Sequence, residues 1–476
     1  MISIKYGCPR SKIITPLDQS TLNLLETQLS FKGDDAEWIS GNSNWDGTHK
    51  KFYTKTQSFP TGMTGRVVHY LEGVGHDVEV LNAPHITAAK GKVNIELFDY
   101  QKAACISLQN NPWGILYSPP RSGKTMMASE DILYWGLSPV VVIVPSVVSN
   151  TPASEIKEKI EWCVGEPVGF VGDGLWGIAP ITVVTSASAY VALVGAGVCK
   201  PVGDAVVLDD CLKPHYIQVA KLLMECKHLV YDEVHHLVSQ REKKILSVMN
   251  STVVRRGLSG TPWIEGGYGF IIEENIGPVV YHVKEELLIE KGYRVPQHVD
   301  IIRLEKKMYT GKDSWQKVYK TYIVENDERN NHIVNWSRKH NSEGRTVLIL
   351  VTQKKHGSLL KEMMPEAVEV YGSSNSAERK EILDKFNRKD VQCIISTVMN
   401  EAVDIPSLDC TVLACGGKDG ALGQQRQDRA ATKYEGKDIC YHLDFLDEAR
   451  GLRGHAKKRL ERYTNSKSCK VRLVNG

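Results

Sequence analysis

The sequence predicts an α/β protein with two doubly wound parallel sheets in tandem, preceded by a small α+β domain. In both halves of the chain, short apolar runs alternate with helix-like segments, which is typical of parallel sheets covered on both faces. Residues 1–90 lack this alternation and combine turn-like, amphipathic and strand-like pieces. We therefore expect three domains, over residues 1–90, 91–287 and 288–476.

The composition is that of a globular protein in a reducing compartment. Of the 476 residues, 42% are hydrophobic and 24% are charged, and the formal net charge is only +3. Binding of nucleic acid would therefore need a local cluster of positive charge. No stretch reaches the apolar length that spans a bilayer, and the first residues do not form a secretory signal. The cysteines form no C-x-x-C pair or zinc cluster, which favours reduced thiols in a cytoplasmic protein.

A group of basic and aromatic residues marks the N-terminal region. Its members are Lys50, Lys51, Lys55 and Arg66 together with Trp45, Phe52 and Tyr53. They could form a surface for phosphates and exposed bases, which would make this a nucleic-acid-binding domain. The alternative is a solvated face beside an aromatic core, and the composition supports it at least equally.

A phosphate-binding loop is predicted between an apolar strand, Trp113–Tyr117, and a helix over Met126–Tyr134. Gly123 allows close approach of the backbone, Lys124 can reach the β and γ oxygens of a nucleotide, and Thr125 offers a hydroxyl to Mg²⁺. The first glycine of the usual pattern is replaced by a serine, and an ordinary helix start capped by a serine is the simpler alternative. The residues expected to contact the nucleotide are Ser118, Pro119, Pro120, Arg121, Ser122, Gly123, Lys124 and Thr125.

Tyr100 and Gln101 open a predicted helix just before this loop. A glutamine amide can pair with the two complementary edges of adenine, so both residues are candidates for cofactor binding. A polar helix start is the alternative for a lone glutamine.

A second apolar strand, which begins near His228, delivers two adjacent carboxylates, Asp232 and Glu233. Asp232 is expected to hold Mg²⁺ through its water shell, and Glu233 to orient and polarise the attacking water. His235 is placed to sense the γ-phosphate and to report it to the turn Ser259-Gly260-Thr261. The loop, the carboxylates and this turn, in this order, predict a site for ATP and Mg²⁺, with Thr125 and Asp232 as the metal-binding residues.

Hydroxyl-bearing residues follow two further predicted strands at their carboxyl ends. They are Pro145-Ser146 after an apolar run from Val140 and Thr185-Ser186 after a run from Ile181. Ligands bind at this edge of open α/β sheets, and short hydroxyls suit the phosphates of a nucleic acid. Helix capping is the simpler explanation for any one of them.

The set of motifs resembles superfamily-2 helicases, from about Glu96 to the C-terminus. Gln101, the Ser-Gly-Lys-Thr loop, the Asp-Glu-x-His segment and the Ser-Gly-Thr turn resemble the Q motif and motifs I, II and III. In the second half, further segments resemble motifs IV, V and VI: Val347–Thr352 with Lys355-His356-Gly357, Ile394–Pro406, and Gln425–Arg429. In detail the chain is most similar to the UvsW type of phages, whose members work on branched DNA.

This resemblance implies two RecA-like domains that hold one ATP between them and move along DNA. It implies fork regression, branch migration and unwinding, in a bacterial host cytoplasm if the chain comes from a phage. Arg429 would be the arginine finger, with Arg426 as second choice, and Asp404 would contact the nucleotide. Nucleic-acid contacts are expected from Thr352, His356, Ser396 and Thr397. The partner would be branched, forked or junction DNA, and the protein a monomer with no membrane and no obligate protein partner.

The sequence departs from the family pattern at the far wall of the expected site. Asp428 replaces a glycine and Thr432 an arginine of motif VI, and Ala402 replaces a glycine of motif V. A shifted register that uses Arg426 and Arg429 would accommodate these changes. Two other functions stay open: an RNA helicase, because a contact to the 2′-hydroxyl is not visible in a sequence, and a nucleic-acid-remodelling clamp with weak ATP turnover.

The C-terminal region is predicted to form a basic helix. Its cations are Arg450, Arg453, Lys457, Lys458, Arg459 and Arg462, next to Tyr463. The helix could follow the phosphates of a nucleic acid, or it could be a solvated helix packed on the second sheet.

Overall fold

The computed structural model describes twelve stretches of the chain and groups them into two compact units. The stretches are residues 1–32, 47–85, 90–120, 122–145, 153–200, 212–261, 269–304, 314–371, 376–397, 405–417, 429–449 and 451–475. The first unit comprises Met1–Ser118, Gly123–Val147 and Pro152–Val283, and the second comprises Pro119–Ser122, Val148–Thr151 and Lys284–Gly476. Each unit is described by itself below.

The N-terminal part of the first unit is a small α+β domain, as predicted. Its elements are β1 (Ile2–Lys5), β2 (Arg10–Ile13), α1 (Gln19–Gln28), β3 (Ser30–Lys32), β4 (Thr48–Lys50), β5 (Ser58–Pro60), α2 (Thr64–Gly73) and β6 (Val78–Leu81). Four of the strands form a sheet in the order β5-β2-β1-β6, and β3 pairs with β4. The fully buried Ile4, Phe59 and Leu71 pack in the core between this sheet and the helices.

The rest of the first unit is an eight-stranded sheet with helices along the chain between its strands. Its elements are α3 (Asp99–Gln109), β7 (Trp113–Tyr117), α4 (Lys124–Trp135), β8 (Val140–Val144), α5 (Ala153–Val164), β9 (Gly169–Gly172), β10 (Leu175–Gly177), β11 (Ile181–Thr185), α6 (Ser186–Gly195), α7 (Pro214–Glu225), β12 (His228–Asp232), α8 (Gln240–Val248), β13 (Val254–Ser259), α9 (Gly269–Ile276) and β14 (Val279–His282). The strand order is β10-β9-β11-β8-β12-β13-β7-β14.

Seven of these strands run parallel, and this places the predicted motifs at one edge. Every residue of β8 and β11 is buried, because both faces of these central strands are covered by helices. The edge strand β10 pairs antiparallel to β9, which the prediction of a wholly parallel sheet did not include. Parallel strands bring their carboxyl ends to one edge, so β7, β12 and β13 present their following loops side by side.

The N-terminal domain is fixed to helix α9 of the same unit by ion pairs. Arg66 forms two hydrogen bonds with the Glu273 carboxylate, at 3.0 and 2.5 Å, and Lys51 lies 2.6 Å from Glu274. A Cβ on Gly62 would collide with the backbone of Glu273. Lys51 and Arg66, two cations of the predicted basic surface, therefore form ion pairs inside the unit.

Three further members of that predicted surface, Lys50, Phe52 and Tyr53, also have defined contacts or positions in this domain. Lys50 pairs with Glu26 at 3.1 Å. Phe52 is a core residue, 2% exposed. The Arg10 guanidinium carbon lies over the Tyr53 ring, 4.0 Å from the ring centroid. Trp45 lies outside the described residues.

The second unit is a seven-stranded, wholly parallel sheet. Its elements are α10 (Glu285–Glu290), β15 (Gln297–Arg303), α11 (Trp315–Tyr319), α12 (Asp327–Ser342), β16 (Val347–Leu350), α13 (Lys354–Met363), β17 (Val368–Val370), α14 (Ser376–Asn387), β18 (Cys393–Ser396), β19 (Cys410–Leu413), β20 (Cys440–Leu446), α15 (Leu452–Asn465) and β21 (Cys469–Asn475). A π-helical turn, Lys320–Val324, continues α11. The order is β17-β18-β16-β19-β20-β15-β21, and all neighbours are parallel.

The two sheets confirm the predicted fold class, and the second sheet is wider than expected. The runs predicted around Val347, Val368, Val391 and Thr411 are β16 to β19, while β15, β20 and β21 were not foreseen. None of the described helices has the length and apolar content needed to cross a membrane.

The basic C-terminal helix packs on the second sheet through one of its faces. On α15, Ala456 and Tyr463 are buried against Val299 of β15 and Leu446 of β20. Arg459, predicted among the phosphate-tracking cations, is only 1% exposed and pairs with Asp444. For Arg459 the packing alternative holds, because its charge is neutralised inside the domain.

Candidate functional site

The predicted phosphate loop joins β7 to α4 with a conformation that only glycine adopts easily. Gly123 caps α4 with φ +80°, and a Cβ at this position would collide with the Gln101 amide. The Lys124 ammonium donates to the Ser118 carbonyl at 3.3 Å, and the Ser122 hydroxyl donates to the Pro119 carbonyl at 2.8 Å. These bonds fix the loop at the N-terminus of α4. Helix N-termini of this kind are suited to binding anions.

The loop is also tied to the neighbouring strand. The Ser118 amide donates to the Ser259 carbonyl at 2.9 Å. This hydrogen bond joins the first residue of the loop directly to the last residue of β13. Serine in place of the usual first glycine is compatible with this bond, since only its backbone takes part.

Gln101 is buried beside the loop, 2% exposed. Its side-chain carbonyl accepts from the Phe98 amide at 2.9 Å, which caps the start of α3, and its amide group faces Gly123. Tyr100 is also buried, 7% exposed, with its ring 6.0 Å from that of Phe98. The glutamine thus serves as a helix cap, and its remaining amide group points toward the loop.

The carboxylate pair lies at the end of β12, next to β13. Asp232 pairs in register with Leu258, and Glu233 follows in the left-handed region at φ +48°. This conformation costs a non-glycine residue about 1–3 kcal/mol and is common where function fixes a side chain. It separates the directions of the two adjacent side chains.

Ser259 connects Glu233 to His235. The Ser259 hydroxyl donates to the Glu233 carboxylate at 3.3 Å, and His235 Nδ1 lies 3.1 Å from the same hydroxyl. Because the hydroxyl has a single proton, Nδ1 of the imidazole is the donor in this bond. His235 Nε2 is then a buried acceptor, and it has no partner among the described residues.

The site tunes the protonation of two of its members. Burial raises the pKa of Asp232 to about 7; the neighbouring Glu233 adds to this effect and Lys124 opposes it. Burial lowers the pKa of His235 to about 4, with Glu233 opposing. The imidazole is therefore neutral at physiological pH, as an acceptor Nε2 requires.

A buried triad that joins α4 to β12 and β13, toward the amino ends of these two strands, was missed by the sequence reasoning. Arg256 of β13 forms two hydrogen bonds with Asp131 of α4, at 2.6 and 3.1 Å, and His228 Nε2 of β12 lies 3.2 Å from the same carboxylate. Burial alone would raise the pKa of Asp131, but Arg256 and His228 together lower it. The two arginines inside β13 were the available signal, because charged residues in a buried strand require partners.

The predicted nucleic-acid contacts of the first unit have local partners. Thr185 caps α6, accepting from the Ser188 amide at 3.3 Å, so the capping alternative describes it. Ser186 is fully buried and accepts from Arg241 at 3.3 Å. Pro145 is partly exposed at the end of β8.

In the second unit only some of the predicted contacts reach the surface. Thr352 is exposed after β16 and Thr397 is partly exposed after β18. His356 and Ser396 are fully buried. His356 Nε2 lies 2.9 Å from Asn330 Oδ1, and the Ser396 hydroxyl donates to the Val370 carbonyl at 2.8 Å. Both side chains are therefore engaged in the interior of the second unit.

The predicted far wall falls mostly outside the described residues. This applies to Ala402, Asp404, Arg426 and Asp428, and two predicted contacts of the first half, Arg121 and Ser146, also lie outside the described residues. Arg429 opens a short 3-10 turn, Arg429–Ala431, and Thr432 bridges to Arg294. The roles of Arg429 and Arg426 stay predictions.

The donor set of the first unit fits a nucleoside triphosphate with Mg²⁺. A glycine cradle, a lysine ammonium and a helix N-terminus suit phosphates, and a partly exposed carboxylate with the Thr125 hydroxyl suits a hydrated Mg²⁺. Two buried polar atoms, His235 Nε2 and Thr261 Oγ1, have no partner in the described chain. The described residues contain no cluster of three or more histidine, cysteine or acidic side chains that would hold another metal.

Comparison with known proteins gives the family context. Residues 328–432 match the helicase conserved C-terminal domain. The DNA 3'-5' translocase XPB2 of Sulfurisphaera tokodaii is 25% identical over 379 residues, which cover 71% of this chain and 77% of that protein. The chain spans less than two thirds of the length of other curated helicases that it matches.

Solved structures give the same fold. A single-substitution variant of Dbp5 of Saccharomyces cerevisiae, bound to RNA and ADP BeF3, matches with a TM-score of 0.51 and 15% identity over 79% of this chain and 89% of that one. UvsW of bacteriophage T4 is matched over 100% of this chain and 99% of that chain, with 17% identity and a TM-score of 0.46. The matches therefore show a segment similar to the helicase conserved C-terminal domain at residues 328–432 and a fold that is shared with the Dbp5 helicase structure.

Proposed function

We propose that this chain is an ATP-dependent DNA helicase or translocase that acts on branched DNA in replication, recombination or repair. The observation that carries the proposal is a set of hydrogen bonds that connects the phosphate loop, the Glu233 carboxylate and the end of β13. Ser118 is bonded to Ser259, and Ser259 is bonded to Glu233 and lies within reach of His235. A change at the phosphates is thereby linked to the strand end that leads away from the site.

The residues of the site divide the work of hydrolysis. When bound, ATP with Mg²⁺ supplies the phosphoryl group that water attacks. Lys124 neutralises phosphate charge, and Thr125 and Asp232 hold the hydrated cation. Glu233, oriented by Ser259, accepts the proton of the attacking water. His235 presents Nε2 as a neutral acceptor and reports the state of the site through Ser259.

DNA is the favoured nucleic acid because of the relative that covers most of the chain. XPB2, similar over 71% of the chain, is described as a DNA translocase. The choice of branched DNA rests on the resemblance of the motif set to the UvsW type and is the finer part of the proposal.

The decisive experiment measures ATP hydrolysis across forks, four-way junctions, duplexes, single strands and RNA. We expect stimulation by DNA, with forks and junctions ahead of linear duplex. Stimulation by RNA alone would replace the proposal by an RNA helicase, and no hydrolysis on any substrate would leave a remodelling clamp.

Lys124→Ala tests the site itself. Removing the ammonium should abolish DNA-stimulated hydrolysis and leave DNA binding close to the wild-type level. The matched control is Lys102→Ala, an exposed lysine on α3 with only long contacts of 3.9 Å to Glu96 and Asp99. Undiminished turnover by Lys124→Ala would refute the assignment of the site.

A further inference from the structure

The second unit displays an exposed tryptophan on a rigid base. Trp315 is 48% exposed at the start of α11. A Cβ on Gly451 would lie 3.1 Å from its ring, and Gly451 has φ +81°. The His455 ring stands edge-on at 6.1 Å between centroids. The indole therefore lies close to the Gly451 backbone and the His455 ring, while about half of its surface meets solvent.

The base of this tryptophan is anchored to the sheet. One turn further along α11, the Tyr319 hydroxyl donates to the Cys415 carbonyl at 2.6 Å, just past the end of β19. Val318 and Tyr319 pack with Ala449 and Leu452, which follow β20. The indole thus has a fixed place near the carboxyl edge of the sheet. That edge also carries the exposed Thr352 and the partly exposed Thr397.

A stripe of basic residues runs from the tryptophan along α15. His455, Lys458 and Arg462 are spaced three and four residues apart, so they share one side of the helix. This side borders the inward face on which Arg459 and Tyr463 are buried. The helix carries five lysine or arginine residues and one glutamate. Successive cations on such a stripe are about 5 Å apart along the axis, close to the spacing of phosphates in an extended strand.

We propose that Trp315 is a stacking platform for a base of single-stranded DNA, and that the exposed Lys458, one turn along α15 from His455, contacts the phosphates, with the half-buried Arg462 one turn further on. Aromatic rings with an adjacent cationic track bind single strands without regard to sequence. This inference rests on the proposed function, because it supplies the strand-binding surface that a DNA helicase needs. It also explains how α15 both packs on the sheet and serves the nucleic acid.

The first test measures the affinity of the full chain for a fluorescently labelled single strand. Trp315→Ala should weaken binding roughly 5- to 150-fold, the range for losing one stacked base, and Trp315→Phe should restore most of it. ATP hydrolysis without DNA should stay unchanged. The control is Trp162→Ala, which removes another exposed tryptophan, on α5 of the first unit; it should leave binding unaltered.

Two further measurements separate stacking from charge. On a strand with abasic sites throughout, wild type and Trp315→Ala should bind equally, because no base is left to stack. Lys458→Gln should reduce the slope of log affinity against log salt by about 0.7, as for one phosphate contact in a single strand, whereas Trp315→Ala should not. Equal weakening by Trp315→Ala on normal and abasic strands would overturn the platform.

A measurement on the wild type removes any dependence on the folding of a variant. Photo-crosslinking to DNA that carries 5-iodouracil should attach the strand to the peptide that contains Trp315. Adducts confined to other peptides would contradict the inference. If the wild type hydrolyses ATP on DNA and Trp315→Ala binds DNA equally well, only the platform fails. If the wild type neither binds DNA nor responds to it, the proposed function fails as well.

Discussion

Two buried polar clusters, one in each unit, differ in how far their hydrogen bonds are satisfied. In the first unit, His235 Nε2 and Thr261 Oγ1 lie buried at strand ends without a partner among the described residues. In the second unit, Arg459, Asp444 and Tyr463 satisfy one another behind the sheet edge, with bonds of 2.7 and 2.8 Å. A strand end that binds a ligand must keep unfilled donors and acceptors, whereas a strand end that supports a domain can fill them. The first cluster is the candidate reactive side of this comparison, and the second cluster is its stable side.

The largest expected effect would break the reactive side of this comparison. Glu233→Gln keeps the shape of the side chain but removes its basicity. We therefore expect the rate of DNA-stimulated ATP hydrolysis to fall about 10²- to 10⁴-fold, the usual contribution of a general base. Binding of a fluorescent ATP analogue should change little. Glu166→Gln, an exposed residue beyond α5, is the control, and an unchanged rate for Glu233→Gln would remove Glu233 from the chemistry.

The next effect would break the stable side. Asp444→Ala leaves the Arg459 guanidinium buried without its main partner, so the free energy of unfolding of the second unit should fall by about 3–5 kcal/mol. Urea unfolding followed by circular dichroism measures this loss. Asp438→Ala removes a carboxylate whose side chain is 91% exposed and paired with Lys433, and it should leave the free energy of unfolding nearly unchanged. Equal losses in the two variants would show that burial of the network does not matter.

A pH effect sharpens the contrast. Burial, with Arg329 nearby, lowers the pKa of His356 to about 3, while the unfolded chain keeps the ordinary value near 6.5. Below pH 6.5 the unfolded state therefore binds more protons, and stability falls as the pH drops. From pH 7 to pH 5 this histidine alone should cost about 2 kcal/mol.

The variant His356→Gln checks that assignment. It should be less stable than the wild type at pH 7 but should lose less on acidification, as read from urea midpoints at both pH values. His85→Gln, at an exposed position of the N-terminal domain, should leave the pH dependence as it is. A pH dependence that is the same in His356→Gln and in the wild type would mean that other groups cause it.

The smallest effect concerns the attachment of the N-terminal domain. Arg66→Ala removes the two bonds to Glu273 at a partly exposed position, and we expect a loss of about 1 kcal/mol with faster hydrogen exchange in α9. Lys50→Ala breaks the more exposed pair with Glu26 and should have no measurable effect. Identical exchange in the two variants would indicate that the domain is held by its apolar contacts alone.

The sequence revealed the elements whose side chains repeat in a simple pattern. The all-apolar β8 and β16 were visible because both faces of these strands are buried, and the loop at Gly123 was visible because its geometry restricts the residue types. The strand β20 was missed because His442 and Asp444 interrupt its apolar run. Both residues are buried in the network with Tyr463.

The site was predicted in outline, but contacts between distant segments were not. Asp131 and Arg256 are 125 residues apart in the chain, and nothing in the local pattern of α4 indicates that its carboxylate supports β13. His356 carries a motif resemblance, yet its ring is buried against Asn330. A motif identifies a segment, and only the packing shows which of its side chains face outward.

The register of β15 has a consequence for how the protein is made. This first strand of the second sheet pairs only with β20 and with β21, whose residue Cys469 is paired with Gln297 about 170 residues later in the chain. At ordinary rates of synthesis a ribosome needs roughly 10–30 s to cover that distance. During this interval β15 has been synthesised but its partner strands have not, whereas all strands of the first sheet have already been synthesised. We expect the nascent second unit to be the part of the chain that depends most on chaperones.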